Sequence, residues 1–189
     1  MKIRSPLVVV FLWAGSGAAQ ESRPVVLGAG VGLGSFTQGS QAPPLCCGER
    51  DDWSSYGPEL RLQFGYLVLD WLEPGLDVGV GRYRGTRREL DVALTKLEVA
   101  PRIAFRFGDP LTVAPRVGWH VAHIAADFDE PTFSTSESAL FMGPGLGLSA
   151  GYRLVPELAV GADAGFAIIS ANADASQAWH AGLLASWRP

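Results

Sequence analysis

Seven charged residues, Arg61, Asp77, Glu98, Arg102, Arg106, Arg116 and Asp163, share a placement that could do chemistry. Each lies in a stretch where apolar residues take alternate positions and the charge falls between them. Alternate residues of an extended strand share one face, so these carboxylates and guanidiniums would gather on a common surface. In a narrow interior they would pair into a hydrogen-bonded plug. Deleting one member would then leave an unpaired buried charge, at a typical cost of about 3–5 kcal/mol. The functional alternative is a narrow polar pore lined by the same residues.

A second grouping is the dense basic cluster Arg82, Arg84, Arg87 and Arg88. Guanidiniums hold phosphate by bidentate hydrogen bonds, so at a membrane surface the cluster would suit contact with lipopolysaccharide. With Glu89 and Asp91 beside it, a solvated hairpin is the simpler expectation. Asp127, Asp129 and Glu130 are three carboxylates in one polar segment, a weak basis for a cation site, and solvation is again the simpler reading. His120 and His123 are three residues apart, so on a strand they point to opposite faces and make no metal pair. His123 is expected near a membrane surface.

Cys46 and Cys47 are adjacent. Neighbouring Cα atoms sit about 3.8 Å apart, whereas disulfides want at least about 4.4 Å. A bridge between them would be a strained vicinal ring, and the alternatives are free thiols or links to another molecule. Two adjacent thiols without a second ligand cluster do not match a zinc spacing. Gly28, Gly30, Gly32 and Gly34 repeat with a period of two and open no helix, so they are strand glycines and not a dinucleotide loop. No catalytic, metal or cofactor-binding residue is assigned. A His/Ser/acid set assembled only by folding stays open.

The elements that position these residues are strands. Eight segments alternate: one from Val25 to Phe36, then others centred on Leu60–Val68, Leu76–Val80, Leu97–Phe105, Leu111–Val121, Leu140–Tyr152, Leu158–Ile168 and Trp179–Trp187. Glu73-Pro74-Gly75, Gly108-Asp109-Pro110 and Val155-Pro156 read as tight turns. Longer loops are expected at Thr37–Gly57 and Ala125–Ser138, with shorter ones at Arg84–Glu89 and Asn172–Ser176. Leu90, Val92 and Leu94 run one step out of phase with Leu97 and Val99, so a bulge is expected near Thr95-Lys96. Pro101, Pro115 and Pro144 each remove a ladder donor, and bulges or shortened strands are expected there too.

Alternation alone does not say which face is outside. The polar faces are mostly Gly, Ala and Ser with a minority of charges. That composition suits a crowded barrel interior better than a water-facing surface, which places the apolar faces outward. Alternating segments of about ten residues fit tilted membrane-spanning strands, with short turns at one end and longer loops at the other. Phe105, Phe107, Tyr152 and Trp187 fall at the short-turn ends, with Trp119 and Trp179 toward the opposite end, as interfacial belts would. Lipid tolerates no open sheet edge, so the sheet must close. The expected fold is all-β: an eight-stranded antiparallel up-and-down transmembrane β-barrel.

Lys2 and Arg4 precede an apolar run, Leu7–Trp13, and a small-residue region, Gly15–Ala19, the layout of a secretory signal peptide. Residues 1–19 are read as that peptide and residues 20–189 as one barrel domain. Losing Lys2 and Arg4 takes the net charge from -4 to -6, which argues against a nucleic-acid partner.

On this pattern of strands, turns and loops the chain resembles the small eight-stranded outer-membrane barrels of the OmpA/OmpX type. The resemblance implies the bacterial outer membrane as location, with lipid and lipopolysaccharide as surroundings and the barrel assembly machinery as partner. Many such barrels end on an aromatic residue, whereas here Arg188 and Pro189 follow Trp187. Barrel enzymes that trim lipid A carry a His-x-Ser motif, which is absent here: Val121-Ala122 follows His120 and Ala181-Gly182 follows His180. The expected role is therefore non-enzymatic, structural or surface-interacting, carried by external loops. The alternatives are a narrow channel or small-molecule carrier and, behind both, a lipid-modifying enzyme.

Overall fold

The computed structural model describes residues 25–38, 53–87, 90–130, 133–171 and 174–188. They form eight strands: β1 (Val25–Gln38), β2 (Trp53–Tyr66), β3 (Leu72–Arg87), β4 (Leu90–Phe105), β5 (Leu111–Glu130), β6 (Phe133–Val155), β7 (Leu158–Ala171) and β8 (Asp174–Trp187). Each strand pairs antiparallel with the next, and β1 pairs with β8, from Leu27↔Trp187 to Gln38↔Ser176, to close the barrel. Closure leaves no unpaired edge around the body of the sheet, the condition a strand must meet in lipid.

The alternation resolves into an inside and an outside. Leu183 is 71% exposed and Leu146 64% on the outer face, whereas Lys96 and Glu98 are 1% and 3% exposed within. A continuous apolar exterior costs about 25 cal/mol per Å² against water, so this surface is stable only under lipid or a partner. Residues 1–19, expected from the sequence to be a signal peptide, and Cys46, Cys47 and Arg88 lie outside the described residues.

Four expectations are corrected. First, the turn between β2 and β3 is at 67–71, closed by Val68 N–H donating to Leu72 C=O at 3.0 Å. Glu73-Pro74-Gly75 already belongs to β3, and this shift turns Glu73 into the interior. Second, there is no bulge at Thr95-Lys96: β3 and β4 pair without a slip from Leu72↔Phe105 to Arg87↔Leu90. Val92 and Leu94 simply keep the inward phase.

Third, Pro101, Pro115 and Pro144 do not shorten their strands; their exposed side chains point outward, and the register does not shift at any of them, although pairing lapses at Ala100-Pro101 against β5 and at Gly143-Pro144 against β7. A proline deletes one ladder donor, a loss that strands this long absorb. Fourth, most of Ala125–Ser138 is strand, not loop: β5 and β6 stay paired up to Glu130↔Phe133. At 20 and 23 residues these strands outrun the roughly 9–11 residues a tilted strand needs to cross a bilayer, so their hairpin projects beyond it.

Candidate functional site: a two-tier barrel interior

The interior is built by one phase of each strand, and its two ends differ. Toward the short-turn end and middle it is ionic. Arg61 and Glu59 from β2 pair at 2.6 Å, and Lys96 from β4 lies 3.1 Å from Glu59 and 2.8 Å from Glu98. Tyr83 from β3 donates its hydroxyl to Glu59. His120 Nδ1 lies 2.7 Å from Glu98. Nearer the short turns, Arg102 bridges β4 to β3, holding Asp77 at 2.6 Å and Glu73 at 2.7 Å. Arg106 takes the other oxygen of Glu73.

A second node joins β5, β6, β7 and β8. Arg116 grips both oxygens of Asp163, one of them at 2.9 Å, and also donates to Ser149 Oγ at 2.6 Å. Ser149 in turn donates to Asp163 at 2.8 Å. His180 reaches Asp163 through Nε2 at 3.0 Å, while its Nδ1 lies 3.0 Å from Arg61. A guanidinium only donates, so Nδ1 accepts from Arg61, while Nε2 faces both Asp163 and the guanidinium of Arg116, 3.1 Å away. The Ser149 hydroxyl is committed to Asp163 and Arg116, not to His180, so the three residues do not form a nucleophile–base pair. Among the described residues, no group of three or more His, Cys, Asp or Glu is placed to hold a metal.

All seven residues singled out by phase lie in this interior: Arg61, Asp77, Glu98, Arg102, Arg106, Arg116 and Asp163. The interior also holds Glu59, Glu73 and Lys96, which sequence reasoning passed over. Five cations (Arg61, Lys96, Arg102, Arg106 and Arg116) meet five carboxylates (Glu59, Glu73, Asp77, Glu98 and Asp163). A charge-balanced, cross-linked set of this kind is how ions are tolerated out of water.

The long-loop end is the opposite. Phe36, Val92, Leu94, Ile124, Phe141 and Ile169, with Ala122, Ala167 and Ala178 between them, pack inside the barrel above Tyr83. Phe36 and Phe141 meet edge to face with ring centres 5.4 Å apart. The out-of-phase apolar set of β4 was the sequence signal for this layer. It caps the ionic tier with a continuous apolar plug.

The basic cluster is split. Arg82 and Arg84 point outward and are exposed near the long-loop end, with Arg84 paired in register to Tyr56 of β2. Tyr56 packs 6.1 Å from Trp179. Arg87 ends β3, while Arg88 lies outside the described residues. His120 points inward and His123 outward, as their spacing requires, and Asp127 is exposed.

No protein-family model and no curated protein matches the sequence. Solved structures do match in fold. The Neisserial surface protein A aligns with 85% of this chain and 96% of its own at 16% identity and a TM-score of 0.53. Ail, the attachment invasion locus protein of Yersinia pestis, aligns with 87% and 98% at 17% identity and 0.54. OprG of Pseudomonas aeruginosa aligns with 88% and 97% at 10% identity and 0.54. The closed antiparallel barrel of eight strands, its apolar exterior and its ionic interior thus give this chain the fold of the small outer-membrane β-barrels.

Proposed function

We propose that this protein is a non-enzymatic barrel of the bacterial outer membrane whose role is structural or surface-interacting and is exercised at its long-loop end. The observation that carries this reading is the filled interior: an apolar plug over a charge-balanced ion network. Eight strands enclose little more than side-chain volume, and here the ion network and the apolar plug occupy it between the short-turn end and the long-loop rim. What remains for specificity is the outer rim, including the projecting β5–β6 hairpin. Ail, of the same fold, is described as an attachment invasion locus protein, and attachment is the kind of role proposed here. The exposure of Arg82 and Arg84 near the long-loop end supports a contact with lipopolysaccharide phosphates, and lipid, lipopolysaccharide and the barrel assembly machinery are the proposed surroundings and partner.

Conductance across a planar bilayer tests the reading. The purified full chain is expected to give no stepwise channel openings. Reproducible unitary openings would instead favour the narrow channel. Lipid A mass spectra with and without the protein are expected to be identical, and a protein-dependent mass change would favour a lipid-modifying enzyme.

A further inference from the structure

At the short-turn end the barrel does not fill. A recess of about 700 Å³ lies there, between the β2–β3 turn and the start of β5. Three guanidiniums line it: Arg106, Arg153 and Arg188. Their counter-charges are unequal. Arg153 pairs with Asp109 at 3.0 Å, an exposed contact. Arg106 shares Glu73 with Arg102, and its Nε is buried with no hydrogen-bond partner. Arg188 makes no ion pair among the described residues; only its backbone N–H is engaged, donating to Glu157 C=O at 2.7 Å. Asp70 also lines the recess without pairing to Arg188.

We propose that this recess is a binding site for a small oxyanion, a phosphate or carboxylate group, held between Arg188, Arg153 and Arg106. Beyond the charge-balanced network, Arg153 and Arg188 share this end with Asp109 and Asp70, and Arg188 is the guanidinium of the recess without an ion pair among the described residues. Half-burial, with the neighbouring guanidiniums of Arg106 and Arg153, lowers Arg188 to about 10 against the opposing pull of Glu73 and Asp109. Guanidinium forks supply parallel N–H donors that match phosphate and carboxylate oxygens, and Thr112 adds a hydroxyl to the lining. A group brought in on a lipid of the adjoining leaflet and a free solute anion offer the same chemistry.

The test uses the full chain in a phosphate-free maltoside detergent, with NMR signals of the recess read while inorganic phosphate is added at constant ionic strength. Saturable shifts at Arg106, Thr112, Arg153 and Arg188 are expected, with binding weakened about tenfold or more in Arg188→Gln. Arg153→Gln, which removes only an exposed pair, is expected to weaken it as well, and His123→Ala on the outer face to leave it unchanged. Folding of each variant is checked by its heat-dependent mobility in SDS. In a parallel arm the protein sits in phosphatidylglycerol nanodiscs without free phosphate. Recess shifts seen there, and not increased by phosphate, assign the anion to lipid; shifts seen only with phosphate assign it to a solute. Absence of saturable shifts in both arms, or saturable shifts in Arg188→Gln and Arg153→Gln unchanged from those of the parent, overturns the proposal.

Discussion

At the residue scale, the interior depends on each charge having a partner in place. Asp163 is the most connected carboxylate of its node, meeting Arg116, Ser149 and His180. Asp163→Asn keeps the shape but leaves Arg116 only the more distant Asp77, at 3.6 Å, as a carboxylate partner, and breaking a buried pair on one side typically costs about 3–5 kcal/mol. We expect that loss in urea unfolding of the lipid-reconstituted protein, followed by tryptophan fluorescence. His123→Ala, on the exposed outer face, is expected to change stability by less than about 0.5 kcal/mol. A small effect of Asp163→Asn would contradict the paired geometry. Much of this site was legible, because a charge flanked by outward Leu or Val must face inward. Glu73 was not, since Glu-Pro-Gly carries the composition of a turn, nor was Glu59, which fell next to the long first loop. Lys96 was hidden by its neighbours Val92 and Leu94, whose inward apolar side chains imitate a change of phase.

At the element scale, strand seams depend on how closely neighbouring backbones approach. Gly32 of β1 pairs with Gly182 of β8 at the closing seam, and a Cβ on Gly32 would run into the backbone of Ala181 and Gly182. Gly32→Val is therefore expected to abolish or sharply reduce the SDS-resistant folded form, since overpacking typically costs about 1–3 kcal/mol. At Gly151 a Cβ would meet only the Val160 carbonyl at 3.5 Å, so Gly151→Ala is expected to fold as the parent does. Comparison of folded fractions by unheated electrophoresis checks both; equal fractions would contradict the seam. The strands themselves were legible from their period of two. The upper reach of β5 and β6 was not, because the sequence from Asp127 to Ser138 is mostly polar and loses the apolar alternation that marks a strand.

At the scale of the whole molecule, the ionic tier and the apolar plug close the barrel above the short-turn recess, and the exterior is left to lipid. The same two-tier interior makes conduction an unfavourable outcome: an ion would have to displace Phe36, Leu94 and Phe141 after crossing a balanced salt network. The account rests above all on the outer face belonging in a membrane. The measurement that tests this most directly is the mobility in SDS of the protein extracted from fractionated cells, boiled and unboiled. A closed membrane barrel resists SDS until heated, so the protein is predicted to fractionate with the outer membrane and to migrate as two forms interconverted by boiling. A single heat-independent band, with the protein in the soluble periplasmic fraction, would contradict the account.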